Sequence, residues 1–114
     1  MKLLNDPHTR EACMIYNRPS MQEDYCKNGM HDFMCCQNVQ YFINERDGIK
    51  YLDCIVNFRS NDAVFGFNND VLWNKYVLEN LANDLNICTG KMYWNAGSLH
   101  IYEKHFKYLD NINE

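Results

Sequence analysis

Two apolar runs flank the dipeptide Asp47-Gly48, and no other feature constrains the fold of this chain as strongly. Ahead of it, Val39, Tyr41 and Ile43 alternate with Gln40, Phe42 and Asn44. That period of two belongs to a strand with unlike faces. Asp-Gly suits a two-residue hairpin turn, because its central residues must adopt positive φ. Behind it, Tyr51-Leu52-Asp53-Cys54-Ile55-Val56-Asn57-Phe58 reads as the returning strand. Together they predict an antiparallel hairpin.

A second period follows. Leu72, Tyr76, Val77, Leu81 and Leu85 recur near every 3.6 residues and predict a helix over about 71–86. Asp70 stands where an N-cap would, and Gly90 lies just past the expected end. Between hairpin and helix, Arg59 to Asn69 is polar and contains glycine, so it reads as loop. Lys91–Asn95 predicts a short strand, and Leu99–Tyr102 resumes apolar character. Near the start, Ala12–Tyr16 predicts another short strand and Asn17-Arg18-Pro19-Ser20 a turn, in an otherwise loop-like stretch to residue 34. Strands followed by one central helix predict the α+β class. With two prolines and no repeat or linker, the 114 residues read as one domain, 1–114.

Charge and composition narrow the functions. A net charge of −4 argues against a broad nucleic-acid surface, so an anionic ligand needs local arginines. No apolar run approaches the roughly 20 residues of a membrane span, and Met1–Arg10 has no signal-peptide core. A cytoplasmic protein is expected, and its six cysteines then read as free thiols. The sequence has no CxxC pair, and its four histidines show no ligand spacing with the cysteines, so no metal site is expected.

Taken singly, the chemically capable residues read blandly. Cys35-Cys36 opens a predicted strand; a thiol there is a small hydrophobe unless a nearby cation makes it a nucleophile. Arg59-Ser60 at a strand end is a surface pair or a clamp for phosphate or carboxylate. Asp62 and Asp70 are ligands, caps or solvated charges. His100 and Tyr102, two apart, are expected on one face of a strand.

Taken together they are more specific. Cys35 is followed by Gln40-Tyr41-Phe42-Ile43, the Asp-Gly turn, Arg59-Ser60-Asn61-Asp62-Ala63-Val64-Phe65-Gly66, Asp70, and Gly97-Ser98-Leu99-His100-Ile101-Tyr102-Glu103-Lys104-His105. This order resembles the thymidylate synthase superfamily over about residues 5–106, most specifically in RSND-x-x-F-G and G-x-L-H-I-Y-x-x-H. The resemblance implies a truncated thymidylate synthase-like sheet with a central buried helix. It also implies covalent activation of a pyrimidine nucleotide by a cysteine, with 5,10-methylenetetrahydrofolate as one-carbon donor.

By the same resemblance Cys35 takes the nucleophile position; a slip of one residue would give that place to Cys36. Arg59 and Ser60 match the phosphate-binding pair, and Asp62 matches a folate-contacting aspartate. Gly66 matches a close backbone approach to the base, and His100 and Tyr102 match residues on the deoxyribose hydroxyl. Arg10 resembles an arginine donated across a homodimer interface, although Glu11 stands where the family often has a second arginine. Asp70 replaces an asparagine that pairs with uracil. A carboxylate accepts from the cytosine amino group instead, so the resemblance implies dCMP over dUMP. That is the pattern of the bacteriophage deoxycytidylate hydroxymethylases, and Asn68-Asn69, in place of the synthases' usual Pro-Phe, fits it. The alternatives are a thymidylate synthase acting on dUMP and a non-catalytic nucleotide-binding remnant. The family's usual chain is more than twice as long. A homodimer or a complementing N-terminal half is therefore the expected partner, in the host cytoplasm if the gene is a phage's.

Overall fold

The computed structural model describes residues 2–16, 35–64 and 66–111, the last three by backbone alone; the turn expected at 17–20, Cys26, His31 and Phe65 lie outside the described residues. In chain order the elements are α1 (Lys2–Asn5), β1 (Cys13–Ile15), β2 (Cys36–Arg46), β3 (Ile49–Phe58), β4 (Asn61–Asp62), α2 (Gly66–Asp84), β5 (Cys88–Ala96), β6 (Leu99–His100) and a 3₁₀ segment, Glu103–Asn111. β1, β2, β3 and β5 form one sheet in that order, and β4 pairs with β6 beside it.

The hairpin forms where its period predicts. β2 and β3 pair antiparallel from Arg46↔Ile49 to Cys36↔Phe58. Asp47 and Gly48 turn with φ of 54° and 78°, the left-handed pair that a tight hairpin requires. Val39, Tyr41, Leu52, Cys54, Val56 and Phe58 are buried on one face, against Leu78 and Ala82 of α2. The opposite face carries Asn38, Asn57 and Asn95, linked by side-chain hydrogen bonds of 2.8 and 3.0 Å.

β3 and β5 run parallel, so α2 serves as the crossover between them. The expected helix exists but differs at both ends. It starts at Gly66, which puts Asp70 in its second turn rather than at its N-cap, and converts part of the expected loop to helix. Two asparagines bond back along the helix. Asn68 Nδ2 donates to the Val64 carbonyl at 3.0 Å, and Asn74 Nδ2 to that of Asp70 at 2.9 Å.

The helix closes at Asn86, with φ of 56°. The N–H groups of Asn86 and Ile87 reach the carbonyls of Asn83 and Ala82, both at 3.0 Å. This is a Schellman ending with asparagine in the glycine position. Gly90, expected as the stop, lies inside β5. A β-carbon there would collide with the Asp53 carboxylate and approach the Leu52 carbonyl to 2.7 Å.

Candidate active site

The site builds up at one end of the sheet. β2 begins where antiparallel β3 ends, so Cys35 and Arg59 are neighbours across the ladder, and the Arg59 N–H donates to the Cys35 carbonyl at 2.9 Å. β5 ends at the same edge because it runs parallel to β3. The N–H groups of Gly97 and Ser98 donate to the carbonyls of Phe58 and Arg59 at 2.9 and 3.1 Å. The two chains then continue side by side as β4 and β6, with Asn61 opposite Leu99 and Asp62 opposite His100. Residues leaving the carboxyl ends of adjacent parallel strands form the crevice where α/β proteins commonly bind ligands.

α2 adds Asp70 from above. Its carboxylate oxygen Oδ2 accepts from Asn61 Nδ2 at 3.1 Å. Burial raises the Asp70 carboxyl above its ordinary value, while the Asn61 hydrogen bond pulls it down. Gly66 sits in the same corner, its β-position 3.2 Å from the Asp62 Cβ and 3.8 Å from Asp70 Oδ2. Asp62 Oδ1 accepts from the Val64 N–H at 3.0 Å.

The two cysteines differ. Cys35 is exposed and Cys36 half-buried. Burial, then the negative charges of Asp70 and Cys35, push the Cys36 thiol up to about 11. A thiol held protonated in this way is a poor nucleophile at neutral pH.

Cys35, Arg59, Asp62, Gly66, Asp70 and His100 are therefore brought to one corner, with Ser60 between Arg59 and β4. Tyr102 lies beyond β6, not on a shared strand face as expected. It still meets His100, ring edge to ring face, with centroids 5.1 Å apart. Arg10 is elsewhere. Its carbonyl accepts from Gln40 Nε2 at 3.1 Å, and it lines a cavity of about 320 Å³ with Phe42 and Asn44, toward the turn end of the hairpin. A second cavity of about 310 Å³, between Leu3, Met14, Tyr41 and Leu81, also lies away from the corner.

Sequence reading missed two residues here. Asn61 is buried, and its Oδ1 accepts from the Trp94 indole N–H at 3.1 Å. Asn61 stood in the quoted RSND run, and its position between two expected ligands was the available signal. Nothing local in β5 marked Trp94.

The likeness to known proteins is extensive. A family model described as thymidylate synthase matches residues 1–113. Deoxycytidylate 5-hydroxymethyltransferases of Enterobacteria phages T4 and T2 are each 49% identical over 117 aligned positions, covering 96% of this chain and 46% of theirs. The chain thus spans about half the length of the curated relatives it matches. Among solved structures, thymidylate synthase from T4 phage superimposes with a TM-score of 0.80 at 22% identity, over 97% of this chain and 36% of its own. Thymidylate synthase A from Bacillus subtilis gives 0.74 at 24%, over 96% and 36%. The fold is shared with those solved structures, the family model runs nearly from end to end, and the chain belongs to the thymidylate synthase family.

Proposed function

We propose that this chain is the cysteine-bearing part of a dCMP hydroxymethylase. The reading is carried by one observation: an aspartate, Asp70, occupies the half-buried corner that also holds Cys35 and Arg59. The phage relatives, which are deoxycytidylate 5-hydroxymethyltransferases, support the same reading.

In this reading the Cys35 thiolate adds to C6 of the pyrimidine, and the displaced ring electrons make C5 nucleophilic. Arg59 and Ser60 hold the phosphate. Asp70 accepts from the cytosine amino group, and its raised carboxyl suits a proton shared with ring N3. A site built for that pattern rejects uracil, whose edge inverts it. His100 and Tyr102 hold the deoxyribose hydroxyl, and Gly66 admits the base. Asp62 fits a folate: one carboxylate oxygen is taken by Val64 N–H, and the other can accept from a pterin's donor edge. When bound, 5,10-methylenetetrahydrofolate would supply the one-carbon unit to C5 and leave as tetrahydrofolate; C5 loses its proton, water supplies the hydroxyl, and elimination from C6 returns the Cys35 thiolate, giving 5-hydroxymethyl-dCMP. The reaction belongs to the host cytoplasm.

The partner in this reading is the remainder of the family's domain or a second copy that lends Arg10. The test is release of tritium from C5 of dCMP in the presence of the folate, with this chain alone and with the remainder supplied. Release from dUMP with dihydrofolate formation would favour a thymidylate synthase. No release under any complementation, with nucleotide binding retained, would leave a binding remnant.

A further inference from the structure

Asn61 has almost no solvent exposure, 2%, and both ends of its amide are used. Oδ1 accepts from Trp94 Nε1 at 3.1 Å, and Nδ2 donates to Asp70 Oδ2 at 3.1 Å. An indole N–H only donates, so it dictates which end of the amide faces it. The nitrogen end is thereby turned toward Asp70. Trp94 itself has little freedom. Phe58 stacks on it with centroids 5.0 Å apart, and Phe67 meets it edge-on at 5.5 Å. The Asn61 backbone is pinned by its N–H to the Ser98 carbonyl at 2.8 Å.

We propose that Asn61, oriented by Trp94, is the positioning residue that sets this site's preference for an amino-bearing pyrimidine. It engages Oδ2 of Asp70 and leaves Oδ1 for the ligand. This deepens the dCMP reading above and rests on it. The amide hydrogen needs an acceptor, so it keeps any proton off Oδ2. A proton taken up by Asp70 therefore resides on Oδ1, where it can be shared with the base. The other charged or titratable groups brought to this corner are Cys35 and Cys36 at the mouth of β2, Arg59 at the end of β3, Asp62 of β4 and His100 of β6. Against the burial that raises the Asp70 carboxyl, the Asn61 donor is the group that lowers it.

The test uses the full chain and the variants Asn61→Ala and Trp94→Phe. The second keeps a stacking ring while removing the indole donor and some ring area, so it stays informative if the first fails to fold. Two readouts are taken: the Asp70 carboxyl titration by ¹³C NMR without ligand, and dCMP and dUMP binding by calorimetry across pH. The expected result for Asn61→Ala is an Asp70 titration moved to higher pH. Its dCMP affinity should fall about tenfold or more, as for loss of a hydrogen bond to a charged group, with dUMP affinity little changed. Trp94→Phe should move both in the same direction by less. Folded variants with an unmoved titration and an unchanged dCMP-to-dUMP ratio overturn the assignment. If the wild-type chain binds neither nucleotide, the substrate half of the proposal falls with the dCMP reading. The ligand-free titration would still decide whether Asn61 holds Asp70.

Discussion

Adjacent cysteines in unlike surroundings give the sharpest test at the scale of residues. Cys36 is held protonated by burial and by Asp70, whereas Cys35 is exposed beside Arg59. Cys35→Ser is expected to abolish tritium release from C5 of dCMP, by at least about a thousandfold for loss of a nucleophile, and to leave nucleotide binding intact. Cys36→Ser should stay within roughly tenfold of wild type. Equal losses in the two would remove the distinction. Asp70→Asn restores an amide that can donate to uracil O4 and accept from N3–H. Calorimetry should then show preference moving from dCMP toward dUMP by about a hundredfold or more, as buried polar mismatches do. Much at this scale was legible beforehand, because Cys35, Arg59 and Asp70 announce their chemistry by type and order. Asn61 and Trp94 did not, since their bond joins residues 33 positions apart and depends on the parallel pairing of β3 with β5.

Among the elements, the junction of β3 and β5 carries an unusual ion pair. Asp53 is fully buried on the sheet face away from α2, at the register shift between Leu52 and Cys54. Arg46 reaches it with Nη1 and Nη2 at 2.7 and 3.0 Å, Asn44 Nδ2 donates at 2.7 Å, and the Lys91 N–H at 2.6 Å. Arg46 also lies over the Tyr51 ring, 4.3 Å from its centroid. Burial alone would raise the Asp53 carboxyl, but these donors outweigh it and lower it from 3.8 to about 2. A depressed carboxyl stabilises the fold above its unfolded value, and that contribution disappears as pH falls from about 4 to 2. The expected loss is about 2 kcal/mol, read as the fall in urea stability from pH 6 to pH 2 that Asp53→Asn should lack. Gly90→Ala should cost about 2–3 kcal/mol in the same assay, because the added carbon overlaps the Asp53 carboxylate. Unchanged stability would mean that the bulge can open. The hairpin was legible because its period and its turn agree. The helix ends were not: back-bonded asparagines disguise the start, and Asn86 does the work that glycine was expected to do.

At the level of the whole molecule, α2 covers one face of the sheet and leaves its own outer side open. Leu72, Trp73 and Tyr76 are 66%, 56% and 59% exposed, with the two rings stacked at 6.0 Å. In the sequence Leu72 and Tyr76 fall within the apolar helical period. Burial in fact follows Asn74, Leu78 and Ala82, because Asn74 spends its amide on the helix's own Asp70 carbonyl and can face inward. No local pattern distinguishes a helix with one neighbour from a helix with two. The chain matches 46% of the phage relatives' length, and an apolar helix face left open is the surface on which further family sequence can pack. If the remainder of the domain completes the site, a polypeptide covering the unmatched part of the T4 relative should bind this chain. Each aromatic on that face would bury on the order of 150–250 Å². Trp73→Glu, which lies outside the corner holding Asp70, should weaken that association by at least about tenfold, followed by analytical ultracentrifugation. Tritium release from dCMP should then fall only as far as the assembled fraction falls, and recover at higher concentration of the added part. Assembly as tight as wild type would show that the added part docks elsewhere. Tight assembly with no release from dCMP would separate the docking surface from the chemistry and count against the dCMP reading itself.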